Sequence, residues 1–279
     1  MANEIEKGTL YVVATPIGNL SDITERAKSV LSNVDFVAAE DTRVSGKLLS
    51  VLGIKNSFVS YHEHNKNEAG KYILEKLQSG LAGAIVTDAG VPAISDPGED
   101  LVRLCRENGV KVVPIPGPCA FVTALCGSGM MSRRFVFEGF LPSDKKERHT
   151  VLETVKNDAR TTIFYEAPHR LVKTLEIMLE SFGNRNICLA RELTKLNEEF
   201  VNTTFEEALE SFKDKEPRGE YVIIVEGKTE SESENFFADM TVEQHVEFYE
   251  KSGMSRMDAI KACAKDRGVR KNDIYKQFV

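Results

Sequence analysis

Short apolar segments alternate with amphipathic ones through the first hundred-odd residues, and this alternation constrains the fold more than any other feature of the chain. Leu10–Ala14 (LYVVA), Phe36–Ala39, Phe58–Ser60, Ala84–Thr87 and Val110–Ile115 read as strands. A helix follows the first, with Asp22 expected as N-cap and Glu25 three residues on, the capping-box spacing. Further helices are expected at Ser45–Leu52, Glu68–Gln78 and Glu99–Asn108, ended by Gly53, Gly80 and Gly109. Strands separated by helices pair in parallel and carry helices on both faces of the sheet. Ligands of such sheets lie beyond the carboxyl ends of the strands, so the loops there are the first place to look for chemistry.

The second half changes character. Strands are expected at Arg134–Glu138, Thr162–Tyr165, Asn186–Ala190, Phe200–Thr203 and Tyr221–Val225, with helices at Lys145–Asn157, His169–Phe182 and Phe205–Lys213. Neighbouring strands with no helix between them imply a mixed sheet, and Pro114–Pro118 (PIPGP) reads as the hinge between two lobes. The division expected is 1–117, 118–228, an acidic linker over 229–240, and a tail over 241–279. In the tail, helices are expected at Thr241–Lys251, Ser255–Lys265 and Lys271–Phe278 around a DRGVR turn, an arrangement resembling a helix-turn-helix. The alternative is a helical hairpin packed on the second lobe.

Charge bears on partners. The net charge is −7, which argues against general nucleic-acid binding. Its distribution is uneven. Residues 226–250 hold eight acids against one Lys, and 251–279 hold eight Lys or Arg against three Asp. Either the tail is a basic contact surface or both segments are simply solvated. Five cysteines, an odd number without a CxxC pair, argue against a disulfide framework or zinc site and suit a reducing cytoplasm, each thiol being read as a small buried hydrophobe. No apolar run approaches the ~20 residues that cross a bilayer. The N-terminus lacks the apolar stretch of a signal peptide, so a soluble, unexported protein without membrane partners is expected.

Four loops carry the candidate chemistry. Thr15–Leu20 (TPIGNL) follows the first strand without the GxGxxG of dinucleotide folds. Asp41-Thr42-Arg43 follows the second strand, its acid and base available to a polar substrate or to each other. Asp88–Asp100 (DAGVPAISDPGED) is the most specific. Asp96 is placed as an N-cap with Pro97 at the first helical position, and Gly90 permits close approach of a ligand. Carboxylates at Asp88 or Asp96 could accept from ribose hydroxyls or an α-ammonium. In Pro116–Ala120 (PGPCA), Cys119 and Ala120 offer a flat surface for an adenine.

Taken in order, TPIGNLSDIT, AAEDTR, TDAGVPAISDPG, PGPCA, FEGFLP, FYEAPHR and ARELTK resemble blocks of the tetrapyrrole methylase superfamily. More closely, they resemble its ribosomal RNA small subunit methyltransferase I family, the 16S rRNA (cytidine-2′-O)-methyltransferases. The blocks cover most of residues 8–227. The resemblance implies a two-lobed α/β fold, with a parallel-sheet N-terminal lobe, a mixed-sheet C-terminal lobe and a small helical appendage. It implies S-adenosyl-L-methionine bound between the lobes, and 2′-O-methylation of a cytidine in the decoding region of 16S rRNA. The substrate would be the small ribosomal subunit and the enzyme a homodimer. It places Ile17, Asp96, Glu99, Cys119, Ala120 and Ala167 at the cofactor, and Asp88, Gly90 and Ser95 of the loop after the fourth strand are expected there with them. PGPCA departs from the Ser expected before the Ala, a nearly isosteric change.

A neutral ribose hydroxyl is a poor nucleophile, so a group that takes or polarises its proton is expected. His62, Glu63, His64, Glu166, His169, Glu192 and Lys195 are available. Glu192 and Lys195 of ARELTK are favoured as catalytic residues, with Arg43, His62 and Arg170 toward the substrate. For each, an ion pair at the lobe interface is the competing explanation. No metal site is expected, since the i, i+2 spacing of His62 and His64 lacks a third ligand. Two other functions share part of this pattern: a tetrapyrrole methylase, and a non-catalytic regulator that senses S-adenosylmethionine and binds nucleic acid.

Overall fold

Continuous apolar runs make strands that are buried on both faces. In the computed structural model, which describes residues 4–228, 237 and 240–278, β1 (Thr9–Val13), β2 (Phe36–Ala39) and β4 (Gly83–Val86) are buried at every position. With β3 (Phe58–Ser60) and β5 (Lys111–Ile115) they form an all-parallel sheet in the order β3-β2-β4-β1-β5. Alternate strand residues face opposite ways. Val13, Val37 and Ala84 pack against Ala27, Val30 and Leu31 of α1 (Glu25–Asn33) and Leu49 of α2 (Thr42–Val51). Leu10, Phe36 and Ile85 pack against Ile73 and Leu77 of α3 (Lys66–Gln78) and Leu101 and Cys105 of α4 (Glu99–Glu107).

The second sheet is mixed, in the order β6-β7-β10-β8-β9, built from β6 (Phe135–Phe140), β7 (Thr161–Glu166), β8 (Asn186–Arg191), β9 (Glu199–Thr204) and β10 (Tyr221–Val225). Only β6 and β7 pair in parallel. One face is covered by α6 (Lys145–Val155), α7 (Pro168–Phe182) and α8 (Phe205–Ser211). The other carries α5 (Ala120–Ser128), whose Ala124 and Leu125 pack on Ile163, Cys188, Val222 and Ile224.

Met1–Gly227 forms one compact unit and Lys228–Val279 a second. The second is α9 (Val242–Lys251), α10 (Arg256–Asp266) and α11 (Lys271–Tyr275) around Val246, Ile260, Cys263 and Ile274. Thr241 and Gln244 make a full capping box, and Ser255 caps α10. Arg267 donates to His245 Nδ1 at 3.1 Å and to the Met240 carbonyl at 2.6 Å. The acidic linker expected over 229–240 lies, apart from Phe237 and Met240, outside the described residues. Among the described residues no helix is long and apolar enough to cross a membrane.

Several local expectations are corrected. Asp22 does not cap α1; Thr24 does, accepting from the Ala27 N–H at 3.1 Å. Ile23 is buried with extended backbone, which holds the chain out of the helix until residue 24 and leaves Asp22 in a 3₁₀ turn. Asp96 does not cap α4 either. The cap position is Gly98 at φ +139, with no side-chain cap bond. Helix α5 was not foreseen, because AFVTALCGS lacks the polar face that reveals a helix. Cys105, Cys188 and Cys263 are buried as expected, but Cys119 is only partly buried and Cys126 is exposed.

Candidate active site

The loops singled out in the sequence meet at the carboxyl ends of the first-sheet strands. Thr15 and Gly90 exchange backbone hydrogen bonds at 2.8 and 3.1 Å, tying the loop after β1 to the loop after β4. The Thr15 hydroxyl also donates to the Thr87 carbonyl at 3.1 Å. Gly90 has φ +87, and a Cβ there would touch Ile17 Cγ2 at 3.5 Å. Ala93 and Ser95 hold φ of +69 and +60, conformations that cost a non-glycine residue free energy and that cluster at ligand clamps.

These loops line a cavity of about 520 Å³. Ile17, Asp88, Gly90, Ser95 and Asp96 come from the first two loops, Cys119 and Ala120 from the start of α5, and Ala167 from the cap of α7. Eight of the nine expected cofactor residues are thus gathered at one cavity. Glu99 is the exception: it points outward, 77% exposed, and pairs with Arg103. Sequence reasoning missed most of the second-lobe wall: Phe140, Tyr165, Leu193, Glu220, Tyr221 and Val222.

The charge of the lining is one-sided. Asp88, Asp96, Glu166 and Glu220 line the cavity, with neither Lys nor Arg among the lining residues. Burial, then the neighbouring Glu40 carboxylate, pushes Asp96 up to about 6, although the Thr87 hydroxyl hydrogen-bonds it. Burial also raises Glu40, with Asp88 adding to the rise, and raises Asp88 itself. Released from capping, Asp96 therefore sits in a desolvated carboxylate group that gains from a cation. Glu166 is satisfied internally. It accepts from Thr174 at 2.6 Å and from the Ala167 N–H at 2.9 Å, and Arg170 lies 3.2 Å away.

The expected catalytic pair stands at the cavity edge in the turn after β8. Lys195 lies 2.9 Å from Glu192 and 2.8 Å from Glu220, and only Glu220 and Leu193 of this group line the cavity. Glu192 and Thr194 have φ of +51 and +65. Burial pulls the Lys195 ammonium down, but Glu220 and Glu192 together lift it above its ordinary value, and Lys195 lowers Glu192. Lys195 is therefore charged at neutral pH and cannot itself act as a base there. A Cβ on Gly18 would meet Lys195 Cγ at 2.5 Å and the Leu193 carbonyl at 3.1 Å, so the first-lobe loop lies directly against this turn.

None of the three expected substrate residues lines the cavity. Arg43 is held by Asp41 at 2.7 Å, and Asp41 caps α2. Arg170 donates to the Leu141 carbonyl at 2.6 Å and pairs with Glu166, bracing the end of β6 against α7. His62 sits after β3, its backbone N–H donating to Asn65 and its ring 6.0 Å from that of His64.

Two α/β lobes with an acid-lined cavity where their loops meet define the tetrapyrrole methylase class. The profile of the Tetrapyrrole (Corrin/Porphyrin) Methylases matches residues 9–209. Among solved structures, the chain is similar to the uroporphyrin III C-methyl transferase of Thermus thermophilus (TM-score 0.56, 18% identity, 78% of this chain and 97% of that one). It is also similar to a cobalt precorrin-4 methyltransferase (TM-score 0.58, 16% identity, 78% and 95%). These establish the fold. Proteins named ribosomal RNA small subunit methyltransferase I are far more similar. That of Halalkalibacterium halodurans is 49% identical over 97% of this chain and 94% of its own, and that of Bacillus subtilis 46% over 98% and 94%. The chain belongs to the ribosomal RNA small subunit methyltransferase I family of the tetrapyrrole methylases, enzymes that use S-adenosyl-L-methionine. The lining suits that cofactor: small apolar side chains for a flat heterocycle, and carboxylates without a competing Lys or Arg for a molecule whose sulfonium and ammonium charges outnumber its one carboxylate.

Proposed function

We propose that this chain methylates the 2′-hydroxyl of a cytidine in the decoding region of 16S rRNA, on the small ribosomal subunit, as a cytoplasmic homodimer. The observation that carries this reading is the extent of the similarity. The rRNA methyltransferases of Halalkalibacterium halodurans and Bacillus subtilis match 97–98% of the chain at 49% and 46% identity, whereas the solved tetrapyrrole methylases match 78% at 18% and 16%. Exposed Val122, Met131 and Phe135, on and beside α5, support pairing of two copies.

S-adenosyl-L-methionine supplies an electrophilic methyl group, so the protein's work is to bind, orient and exclude water. In this reading Ile17, Gly90, Cys119, Ala120 and Ala167 enclose the nucleoside. Asp88, Asp96 and Ser95 take the ribose hydroxyls and the methionyl ammonium group. Lys195, kept charged by Glu192 and Glu220, stabilises negative charge building on the 2′-oxygen as that hydroxyl's proton is lost to water. Arg43, His62 and Arg170 are assigned to the approach of the RNA, Arg170 through its hold on β6 and Glu166.

The test is genetic. Small-subunit RNA from cells lacking the gene should lose one 2′-O-methylcytidine, measured by nuclease digestion and mass spectrometry, and regain it with the wild-type chain. An unchanged 2′-O-methylcytidine content would reject the proposal.

A further inference from the structure

Phe140 holds an unusual position for a large apolar side chain. It closes β6, lines the cavity and is 51% exposed. Its orientation is produced by a backbone irregularity. On β6 Phe137 pairs with Ile163, but the next pair is Gly139 with Phe164, so Glu138 is an extra residue, a β-bulge. Without the bulge, Phe140 would pair with Glu166 and point to the side where Phe164 packs under α7. With it, Phe140 pairs with Tyr165 and shares the face of Phe137 and Tyr165, toward the cavity. Bulges beside functional sites re-aim side chains in this way. Gly139 makes the bulge possible with φ +66.

The re-aimed ring is also firmly supported. Phe121 stacks on Phe137 at 4.2 Å, Phe137 meets Tyr165 edge-on at 4.9 Å, and Tyr165 meets Phe140 edge-on at 5.5 Å. The Tyr165 hydroxyl accepts from the Phe121 N–H at 3.2 Å, which fixes the supporting ring. Ile94, from the loop after β4, also lines the cavity and is likewise exposed. With half its surface exposed, the ring is open to a flat group that enters the cavity from solvent.

We propose that Phe140 is the stacking platform for the nucleobase of the target nucleotide, a positioning residue for the methyl acceptor and not for the cofactor. This rests on the rRNA-methylation reading above. A ribose hydroxyl reaches a cavity only when its nucleotide leaves the RNA stack, and the lost stacking has to be replaced. Aromatic side chains replace it independently of sequence.

Two measurements test this on the full chain. The sequence contains no Trp, so Phe140→Trp introduces a single indole at the platform. Its emission should be unmoved by S-adenosylhomocysteine; quenching by that compound would assign the ring to the cofactor and overturn the proposal. In methyl transfer to undermethylated small subunits, Phe140→Ala should lower kcat/KM by roughly tenfold or more, with the cofactor Kd unchanged by calorimetry. Phe140→Trp should retain activity and Phe140→Leu should not. Full activity of Phe140→Ala, or rescue by Leu equal to that by Trp, would overturn the platform while wild-type labelling upholds the rRNA reading. Absence of label with the wild type would overturn both.

Discussion

A Cβ placed on Gly139 would lie 2.7 Å from Ser95 Oγ. Gly139 belongs to the second lobe's bulge and Ser95 to the strained loop after β4, so this contact is where the two walls of the cavity meet. Both residues hold left-handed backbone, Ser95 at φ +60 and Gly139 at φ +66, so relief of a clash falls on the Ser95 hydroxyl.

Gly139→Ala should therefore cost about 1–2 kcal/mol in stability for the left-handed backbone alone. It should also weaken cofactor binding, by displacing Ser95. Urea unfolding and calorimetric titration measure the two effects. A variant with unaltered midpoint and affinity would show that the close approach is immaterial.

Asp96 gives a pH signature. Its folded pKa, about 6, lies above the ordinary aspartate value, so the folded protein favours the protonated form. That contribution is fully stabilising below about pH 4, is lost as pH rises through about 6, and leaves a charged, partly desolvated carboxylate at pH 7.5. The ligand-free Asp96→Asn variant should thus melt higher than wild type at pH 7.5 and show a flatter dependence between pH 4 and 7. Its cofactor affinity should fall about tenfold or more, and wild-type affinity should weaken as pH drops through about 6. Equal cofactor affinity in wild type and variant would remove Asp96 from the binding site.

Much of this site was legible because backbone-shaping residues announce it. Gly90, Pro92 and Pro97 mark a loop more elaborate than a helix cap requires, and it converges with the loop after β1 through Thr15 and Gly90. The strands at Phe36–Ala39 and Tyr221–Val225 were read to the residue from uninterrupted apolar runs. Other features depend on tertiary placement. Asp96 satisfies the local rule for an N-cap, yet its carboxylate joins Thr87 and Glu40 instead. Phe140 could not be found because one extra residue in β6 reverses the side of the sheet it occupies. Arg43 and Arg170, expected toward the substrate, each have a carboxylate partner within 3.2 Å, which only the folded chain reveals.

Arg170→Ala should destabilise the second lobe by about 2 kcal/mol. It leaves the Glu166 carboxylate, whose side chain is 1% exposed, with only Thr174 and its neighbouring N–H. The urea midpoint measures this, and a loss below about 0.5 kcal/mol would mean the pair behaves as a surface ion pair.

Lys195→Ala should abolish methyl transfer while cofactor affinity stays within about twofold, because Lys195 contacts Glu192 and Glu220 and does not line the cavity. Lys195→Arg, which keeps the charge, should retain part of the rate. Single-turnover kinetics separates the two. Wild-type turnover in Lys195→Ala would dismiss the charge from the reaction.

The most direct test of the central claim is methyl transfer from labelled S-adenosyl-L-methionine, offered in parallel to undermethylated small subunits, free 16S rRNA and uroporphyrinogen III. Label in subunit RNA that maps to a cytidine 2′-oxygen is the predicted result. Label confined to the tetrapyrrole would contradict it, leaving the fold and cavity as described but assigning them to a different acceptor.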